Sequence, residues 1–262
     1  MSQDGDATDD TPGIAAATLI LFAEQDTDAP LHLLIQRTPK MRFAPNALVF
    51  PGGQVDADDY RIAADPVLVD VGLSDATERA HRIAAIRETL EETGIAAGFM
   101  PPETFDAAGM QAELKRQVAF SDLLKTANLR LDLSTLLPWA QWHPRLSHRR
   151  FDTRFYIARH KGDLTVRTDV DEVGEACWLT AGQAIAESQA GHAKIIFPTL
   201  CNLERLAEYP GFLAAAAHLA TVECRPISPW LHDDERGVAC ISIHEGGGYP
   251  ITCRPLSTLQ AP

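Results

Sequence analysis

Three glutamates crowd one face of a predicted helix in the stretch Arg87-Glu88-Thr89-Leu90-Glu91-Glu92-Thr93-Gly94-Ile95. At about 100° per residue, Glu88 and Glu92 lie roughly 40° apart, and Glu91 falls within the same arc. Like charges at this spacing destabilise a helix by about 0.2–0.5 kcal/mol. A divalent cation held among the carboxylates explains the cluster, since Mg²⁺ and Mn²⁺ prefer carboxylate oxygen. A solvated acidic face is the alternative.

The neighbouring sequence favours a metal site over a solvated face. The cluster follows the apolar run Ile83-Ala84-Ala85-Ile86, and Gly94 ends the helix. Arg87 can reach Glu91 one turn further along and fix its rotamer. Upstream, an apolar strand is predicted to run into the turn Phe50-Pro51-Gly52-Gly53, where bare backbone can approach a phosphate or a metal.

Together these residues resemble the Nudix box, whose form is a Gly, five residues, a Glu, seven residues, then Arg-Glu-apolar-x-Glu-Glu-x-Gly-apolar. Gly53 matches the first glycine, and the second half is matched by Arg87, Glu88, Glu91, Glu92, Gly94 and Ile95. Thr89 replaces the usual aliphatic residue. About 20 extra residues separate the two halves. Asp59 holds the spacing of the first-half Glu from Gly53, but its equivalence stays open at this point.

The resemblance implies a metal-dependent hydrolase that cleaves a diphosphate bond. It implies metal ligands at Glu88, Glu91 and Glu92, with the backbone carbonyl of Gly52 or Gly53 adding an oxygen, and Gly53 is the expected donor. Mg²⁺ or Mn²⁺ is the expected cofactor. Arg87, Glu88 and Glu91 are the expected catalytic residues. Glu88 is one candidate for the general base, whose identity varies in this family.

Residues outside the box supply candidate contacts to a phosphorylated substrate. Arg37, Arg42 and Gly52 lie near the Pro-Gly-Gly turn, and Glu172 or Glu175 precedes a predicted strand where the family often carries an acid. Solvated loop positions are the alternative. A basic loop could grip phosphates or only balance an acidic chain; it contains His143, Arg145, His148, Arg149 and Arg150. Trp139 and Trp142 could stack on a base, although core packing is the simpler interpretation.

Two further segments are similar to one branch of the family, the group around the mammalian peroxisomal coenzyme A diphosphatase with a split Nudix box. They are the approach from Arg42 to Asp56 and the stretch from Arg150 to Phe155. That resemblance implies hydrolysis of coenzyme A or acyl-CoA to phosphopantetheine and 3′,5′-ADP. ADP-ribose, NADH and dinucleoside polyphosphates remain alternative substrates. A non-catalytic nucleotide sensor is the alternative of another class, and the intact glutamate set argues against it.

Composition bears on partners and compartment. A net charge of −13 leaves no basic excess for nucleic-acid phosphates, but a small diphosphate needs only local cations and a metal. The five cysteines are odd in number and widely spaced, which favours free thiols in a reducing cytoplasm. The acidic start is no signal peptide, and no apolar run is long enough to span a membrane. We therefore expect a cytoplasmic enzyme without a membrane partner. The sequence is silent on oligomeric state, although Nudix enzymes often form homodimers.

Irregularly alternating strands and helices predict an α/β fold. The resemblance implies the same, a Nudix-type α/β/α sandwich with a mixed β-sheet and added helices. The expected organisation is a disordered leader at 1–12, a Nudix domain at 13–190, and a helical and hairpin extension at 191–262 packed on the same domain. Within the domain we expect an insertion at about 54–74, read as a surface excursion, and a helical elaboration at about 103–137. Ser74 is the expected N-cap of the long helix.

Overall fold

The computed structural model describes residues 13–24, 29–39, 45–101, 106–143, 151–168 and 173–259. The strands are β1 (Ile14–Ala23), β2 (Leu31–Arg37), β3 (Leu48–Val49), β4 (Gly52–Gln54), β5 (Phe99–Met100), β6 (Arg130–Leu131), β7 (Leu137–Trp142), β8 (Phe151–His160), β9 (Val173–Thr180), β10 (Pro226–Ile227), β11 (Trp230–Asp233), β12 (Ala239–Ser242) and β13 (Cys253–Pro255). The helices are α1 (Ala57–Ala63), α2 (Ala76–Thr93), α3 (Ala107–Lys115), α4 (Phe120–Thr126), α5 (Ala181–Gln189), α6 (Phe197–Leu206) and α7 (Phe212–Leu219).

The central sheet is mixed and is built around β1. Its strands run in the order β10-β7-β8-β1-β2-β3, with β4 also paired to β1 and β9 to β2. β1 is parallel to β8 and antiparallel to β2 and β4. Both faces of β1 are covered: Leu19 and Leu21 pack with α2, whereas Ile20 and Phe22 pack with α6 and α7. The predicted sandwich with a mixed sheet and added helices is confirmed.

The long helix α2 carries the glutamate cluster on its last two turns. Asp75 caps its start by accepting a hydrogen bond from the Glu78 backbone N–H at 2.8 Å, so the predicted cap at Ser74 is wrong by one residue. Gly94 ends the helix in the left-handed conformation, with φ of 71°. Ile83, Ile86 and Leu90 are fully buried, which fixes the rotation of α2 and leaves its glutamates toward the edge of β4.

The segment between the two halves of the motif is part of the core, and the predicted surface excursion is wrong. It contributes α1 and a following turn, where Ile62, Ala63, Leu68 and Val69 are at most 1% exposed. The Leu68 carbonyl accepts a hydrogen bond from the Leu131 N–H at 2.8 Å. These apolar side chains are buried because α2 alone cannot cover this face of the sheet.

The predicted helical elaboration is broken into shorter pieces. α3 and α4 are separate helices, followed by β6 and a 3₁₀ turn at Leu133–Thr135. Pro138 does not stop a helix but lies within β7, at an irregularity in its pairing with β8. Phe120 and Leu124 of α4 join the same core cluster as α2, so this subregion is anchored to the helix that carries the glutamates.

The residues after 190 extend both the core and the sheet. Leu203 and Leu206 of α6 pack with Ile20 and Trp139, and β10 lengthens the sheet through β7. In the segment where the tail hairpin is predicted, β12 and β13 pair antiparallel, with Ser242 opposite Cys253. β11 adds a third strand that the pattern did not indicate. Within the described residues, the helices are too short or too polar to cross a bilayer.

Candidate active site

The two glycines of the Pro-Gly-Gly turn contact the glutamates directly. The Gly52 backbone N–H donates a 2.9 Å hydrogen bond to the Glu92 carboxylate. A Cβ at Gly53 would lie only 2.4–2.6 Å from the Glu88 carboxyl group, and one at Gly52 would lie 2.4 Å from the Ala17 carbonyl oxygen. Only glycine lets β4 approach both β1 and α2 this closely.

Arg87 is buried beneath the glutamates and is fully engaged. Its Nε and Nη2 donate to the two oxygens of Asp59 at 3.0 and 2.9 Å, and its Nη1 donates to Glu88 at 2.8 Å. Nη2 also donates to the Gln54 carbonyl oxygen at 2.9 Å, and Glu91 lies 3.6 Å from Nη1. Although burial opposes its charge, Asp59 and Glu88 raise the pKa of Arg87. Because its guanidinium is occupied, this geometry favours a positioning role for Arg87, and its catalytic role stays a prediction.

Asp59 has a structural role in this geometry. It is completely buried, and besides holding Arg87 it accepts a hydrogen bond from the Asp56 backbone N–H at 2.8 Å, closing the capping box of α1. Burial raises the pKa of Asp59, while Arg87 opposes the shift. The carboxylate is therefore held by Arg87 and the start of α1, and it is not offered to a metal ion.

The glutamates repel one another in a poorly solvated cleft. Burial and the charge of Glu91 together raise the pKa of Glu88 to about 7, against the opposing effect of Arg87. Burial and the charge of Glu88 likewise raise the pKa of Glu92 well above its usual range, although the Gly52 N–H and Arg37 oppose the shift. Carboxylates whose charge is penalised in this way gain stability when a cation joins them.

The donor set fits a hard divalent cation. Glu88, Glu91 and Glu92 offer carboxylate oxygens, with no sulfur or imidazole among them, which is the chemistry that Mg²⁺ and Mn²⁺ prefer. In the described part of the chain, no three acidic, imidazole or thiol side chains already converge on one point as ligands. Glu88 is instead turned to Arg87, and Glu92 to Gly52. The metal-ligand roles of these glutamates and of Gly53 stay predictions.

A large cleft opens beside the cluster. Its volume is about 800 Å³, and its acidic side is formed by Glu88, Glu91, Glu92, Asp56 and Asp58. Its apolar side is formed by Leu114, Val118, Ala119 and Phe120 from α3 and α4, by Phe151 and Phe155 of β8, and by Ile196 and Pro198 at the start of α6. The cleft therefore offers a charged end and an apolar wall to one ligand.

Arg37 lines the cleft, and its contact with a phosphate stays a prediction. Its side chain lines the space beside Gly52 and Gly53, and its Nε is buried without a hydrogen-bond partner among the described residues. Burial lowers the pKa of Arg37, while Glu92 and Glu88 oppose the shift. An unpartnered buried donor at this position suits an anionic oxygen.

Other predicted contacts separate into three groups. Arg42, Glu172, Arg145, His148, Arg149 and Arg150 lie outside the described residues. Glu175 is exposed on β9 opposite Gln36, and His143 lies 3.8 Å from Asp152, so neither faces the cleft. Trp139 and Trp142 are buried at 1% exposure and donate hydrogen bonds to Asn202 and Tyr249, as core residues do. Trp142 also lines the cleft, so its stacking on a base stays a prediction.

Sequence reasoning missed the apolar wall and the role of Asp59. The wall comes from the α3–α4 junction and from the start of α6, which lie far from the motif in the chain. No local pattern marks such residues as cleft-lining, because an apolar side chain of a core and one of a cleft look alike in sequence. Asp59 could have been found from the sequence, because its spacing from Gly53 matches that of the first-half Glu of the motif.

Comparison with known proteins places this site in a family. No family model matches the chain. Its structure is similar to that of a Nudix hydrolase from Alicyclobacillus acidocaldarius, with a TM-score of 0.70 and 28% identity over 79% of this chain and 96% of the other. This likeness, together with the relatives below, supports a Nudix hydrolase.

The curated relatives belong to one branch of the Nudix hydrolases. The chain is 28% identical over 230 residues to the acyl-coenzyme A diphosphatase NUDT19 of Xenopus laevis, which covers 68% of this chain and 60% of the relative. It is 26% identical over 226 residues to the human NUDT19, covering 68% and 60%. The match therefore spans less than two thirds of the length of these relatives. The predicted relationship to this branch of Nudix hydrolases is confirmed.

The geometry locates the extra residues of this Nudix box. Asp59 keeps the motif spacing from Gly53 and makes the buried contact with Arg87. Taking Asp59 as the first-half acid of the motif would place the additional residues after it, and the insertion at about 54–74 stays a prediction. Residues 54–59 belong to the site, because Gln54 and Asp59 both hold Arg87.

Proposed function

We propose that this Nudix hydrolase cleaves the diphosphate bond of coenzyme A or an acyl-CoA, with Mg²⁺ or Mn²⁺ as its cofactor. The observation that carries the proposal is the cleft, which joins a buried carboxylate cluster to an apolar wall within one volume of about 800 Å³. An acyl-CoA has the same two parts, a diphosphate and a long, partly apolar arm. The names of the relatives from Xenopus laevis and Homo sapiens support this substrate class.

Glu88, Glu91 and Glu92 would hold the cation, with the Gly53 carbonyl as a further oxygen donor. When bound there, the cation neutralises charge on the phosphates and makes a water molecule more acidic. Arg87 fixes the Glu88 carboxylate through its 2.8 Å hydrogen bond, and the Gly52 N–H fixes Glu92. Both glutamates are thus oriented before substrate arrives, which reduces the reorganisation needed during reaction.

The charged end of the cleft contains a proton acceptor and a phosphate contact. Glu88 is one candidate to accept a proton from the attacking water, since Arg87 fixes the position of its carboxylate. Arg37 is placed to donate its unpartnered Nε–H to a phosphate oxygen. Neither role requires movement of the backbone described above.

The apolar wall supports a substrate with an apolar arm over one with two nucleosides. Leu114 and Phe120 are held in the core, so their cleft-facing atoms form a rigid surface. Asp58 ties this wall to the motif by accepting hydrogen bonds from the Ser121 N–H at 2.9 Å and from its hydroxyl at 2.8 Å. The wall is therefore fixed relative to α1, which also carries Asp59.

A panel of diphosphates tests the proposal. Coenzyme A, a medium-chain acyl-CoA, ADP-ribose, NADH and a dinucleoside polyphosphate would each be assayed with Mg²⁺ and with Mn²⁺. We expect the highest kcat/KM for the coenzyme A compounds, with phosphopantetheine or its acyl form and 3′,5′-ADP as products. A higher kcat/KM for ADP-ribose or NADH would show that coenzyme A compounds are not the preferred substrates. Tight binding of one compound without turnover of any would overturn the activity.

A variant of the apolar wall tests whether the wall binds the acyl arm, by its effect on KM for acyl-CoA and for free coenzyme A. Val118→Asp places a charge on the wall, away from the carboxylate cluster. We expect KM for a medium-chain acyl-CoA to rise about 10-fold or more, with a smaller change for coenzyme A, since a buried methylene contributes about 0.8 kcal/mol. Val67→Asp, at a position 67% exposed outside the cleft, is the matched control. Equal effects of Val118→Asp on KM for both substrates would show that the acyl arm does not bind against this wall.

A further inference from the structure

The start of α6 lines the cleft on the side away from the α3–α4 wall. Ile196, Pro198 and Thr199 all line the cleft there. Their neighbours in the lining, Phe50 and Phe155, belong to the core cluster that includes α6, whereas the α3–α4 wall belongs to the cluster that packs on α2. The cleft therefore reaches both faces of the sheet, and a ligand whose diphosphate lies at the carboxylates can extend one arm toward each.

The N-terminus of α6 has no side-chain cap. Its N-cap residue is Ile196, which offers no acceptor, and Pro198 in the first turn has no N–H group. The backbone N–H groups of Phe197 and Thr199 have no acceptor among the residues that the structure describes. A helix N-terminus carries roughly +0.5 elementary charge, and free N–H groups there bind phosphate oxygens. α6 therefore offers two backbone donors and the positive end of its dipole at the cleft.

Thr199 adds a side-chain donor at the same point. Its side chain lines the cleft and is 3% exposed, and its hydroxyl makes no hydrogen bond within the described part of the chain. The buried threonines of α2 behave differently, since Thr89 and Thr93 each donate to the carbonyl one turn earlier, at 2.7 and 2.6 Å. Buried hydroxyls are normally hydrogen-bonded. The Thr199 hydroxyl is therefore available to an acceptor that a ligand brings into the cleft.

The start of α6 is fixed relative to the Pro-Gly-Gly turn. The Leu48 N–H donates a 2.7 Å hydrogen bond to the Lys194 carbonyl oxygen, and Lys194 forms a parallel bridge with Ala47. The Phe197 ring lies edge to face against the ring of Trp142 on β7, with 5.8 Å between their centres. Because β3 leads into the turn whose glycines contact the glutamates, the donors of α6 and the carboxylate cluster keep a constant separation.

The donor set at α6 selects a phosphate group. Backbone N–H groups at a helix N-terminus, together with a hydroxyl, are the donors that commonly bind phosphate oxygens. The acidic side chains of the cleft come from α2 and from the start of α1, whereas the α6 side is lined by apolar, aromatic and threonine side chains. In coenzyme A, the one phosphate outside the diphosphate is the 3′-phosphate of the ribose. ADP-ribose, NADH and dinucleoside polyphosphates lack this group.

We propose that the N-terminus of α6 and the Thr199 hydroxyl form a subsite for the ribose 3′-phosphate of the substrate. The phosphate oxygens accept hydrogen bonds from the N–H groups of Phe197 and Thr199 and from the Thr199 hydroxyl. The pantetheine arm then extends the other way, along the α3–α4 wall. This inference rests on the proposed function, because it names the group by which the cleft distinguishes coenzyme A compounds from other diphosphates.

A pair of substrates tests the subsite in the active enzyme. Coenzyme A and 3′-dephospho-coenzyme A differ only in the 3′-phosphate, and both would be assayed with Mg²⁺. We expect kcat/KM of the unmodified chain to be about 10-fold or more higher for coenzyme A, because hydrogen bonds to a charged group are lost in the other substrate. Equal kcat/KM values for the two substrates would overturn the subsite.

Substitutions at Thr199 locate the subsite. Thr199→Val removes the hydroxyl and nearly keeps the shape, so it should lower the ratio of the two kcat/KM values roughly 5-fold or more. Thr199→Ser retains the hydroxyl and should restore most of the ratio. Thr126→Val, at an exposed position outside the cleft, is the matched control. A ratio that is unchanged in Thr199→Val would place the 3′-phosphate elsewhere.

Equilibrium binding separates a failure of the subsite from a failure of the proposed function. Calorimetry with Mg²⁺ would compare 3′,5′-ADP, 2′,5′-ADP and 5′-AMP in the unmodified chain and in Thr199→Val. We expect 3′,5′-ADP to bind the unmodified chain about 10-fold more tightly than the other two, and to lose most of this advantage in the variant. This preference without turnover of any coenzyme A compound would overturn the hydrolase proposal and support the subsite. Turnover of coenzyme A with equal binding of the three nucleotides, or with tighter binding of 2′,5′-ADP, would overturn the subsite alone.

Discussion

Arg87 and Asp59 form a two-point ion pair, with N···O distances of 3.0 and 2.9 Å, although they are 28 positions apart in the chain. The pair is buried, and through Nη1 it sets the position of the Glu88 carboxylate. The two halves of the split motif are therefore joined by a side-chain contact, and the intervening residues need not hold the glutamates themselves.

Replacing Asp59 by Ala should destabilise the fold strongly. The change leaves the Arg87 guanidinium buried without its main partner, which typically costs about 3–5 kcal/mol. The free energy of unfolding in denaturant measures the loss. Asp56→Asn is the matched control, because Asp56 is 62% exposed and 3.6 Å from Arg87, and Asn retains the N-cap. A loss below about 1 kcal/mol for Asp59→Ala would show that Arg87 is compensated elsewhere.

Glu91→Gln should reduce turnover while leaving the fold intact. Glu91 is 19% exposed at the cleft, and the change removes a charge from the predicted cation site. We expect kcat to fall roughly 100-fold or more, since several kcal/mol of electrostatic stabilisation are lost. Steady-state kinetics over a titration of Mg²⁺ and Mn²⁺ provide the measurement. Glu113→Gln, at a side chain that is 40% exposed, serves as control. Near-full activity of Glu91→Gln would make the ligand assignment wrong.

Gly53→Ala should disturb the site more than the fold. The new methyl group would lie 2.4–2.6 Å from the Glu88 carboxyl group and displace it from Arg87. We expect activity to fall roughly 10-fold or more, with a stability loss of about 1–3 kcal/mol from overpacking. The control is Gly182→Ala, where a methyl group meets no atom within 4 Å. Activity and thermal unfolding are measured for both, and unchanged activity in Gly53→Ala would show that Glu88 tolerates displacement.

Leu68→Ala tests whether the segment between the two motif halves is part of the core. Leu68 is 1% exposed, whereas its neighbour Val67 is 67% exposed. Truncating a buried Leu typically costs about 2–5 kcal/mol, while Val67→Ala should change stability by less than about 0.5 kcal/mol. Denaturant unfolding of the two variants gives the comparison. Similar small losses in both would restore the interpretation of this segment as a surface excursion.

His32 should make the chain less stable as the pH falls below neutrality. Burial lowers the pKa of His32 from 6.5 to about 4, although its hydrogen bond to the Leu21 carbonyl opposes the shift. Between these values the unfolded chain binds the proton and the folded chain does not. The stability is fully present above about pH 6.5, and about 3 kcal/mol is lost as the pH falls to 4.

Comparing the unfolding free energy of the unmodified chain (the parent) with that of His32→Leu across pH isolates the titration of His32. The variant loses the hydrogen bond to Leu21 at every pH, so the difference in unfolding free energy should be constant above about pH 6.5. Below it, the advantage of the parent should shrink. His192→Leu, at an exposed residue, should show no such change. Parallel pH profiles for the parent and His32→Leu would contradict the buried neutral imidazole.

The sequence determined the elements whose signals are local. The spacing of Glu88, Glu91 and Glu92 before Gly94 predicts the end of α2 and the carboxylate face, because both depend on helical geometry alone. Thr180 caps the helix Ala181–Gln189 through an equally local signal, since its hydroxyl accepts a hydrogen bond from the Gln183 N–H. The glycines of the Pro-Gly-Gly turn also predicted close backbone approach, since no other residue permits it.

Only the tertiary structure decided which distant residues meet at the site. Asp59 and Glu91 are both acidic, yet one is buried against Arg87 and the other lies at the cleft, and this difference arises from the packing of α1 on α2. The apolar wall at Leu114 and Phe120 could not be predicted either. The sequence does not distinguish an apolar side chain that lines a cleft from one that is buried in the core. The carboxylate cluster follows from helical spacing along the chain. The burial of Arg87 and the shape of the cleft depend on contacts between segments that are distant in sequence.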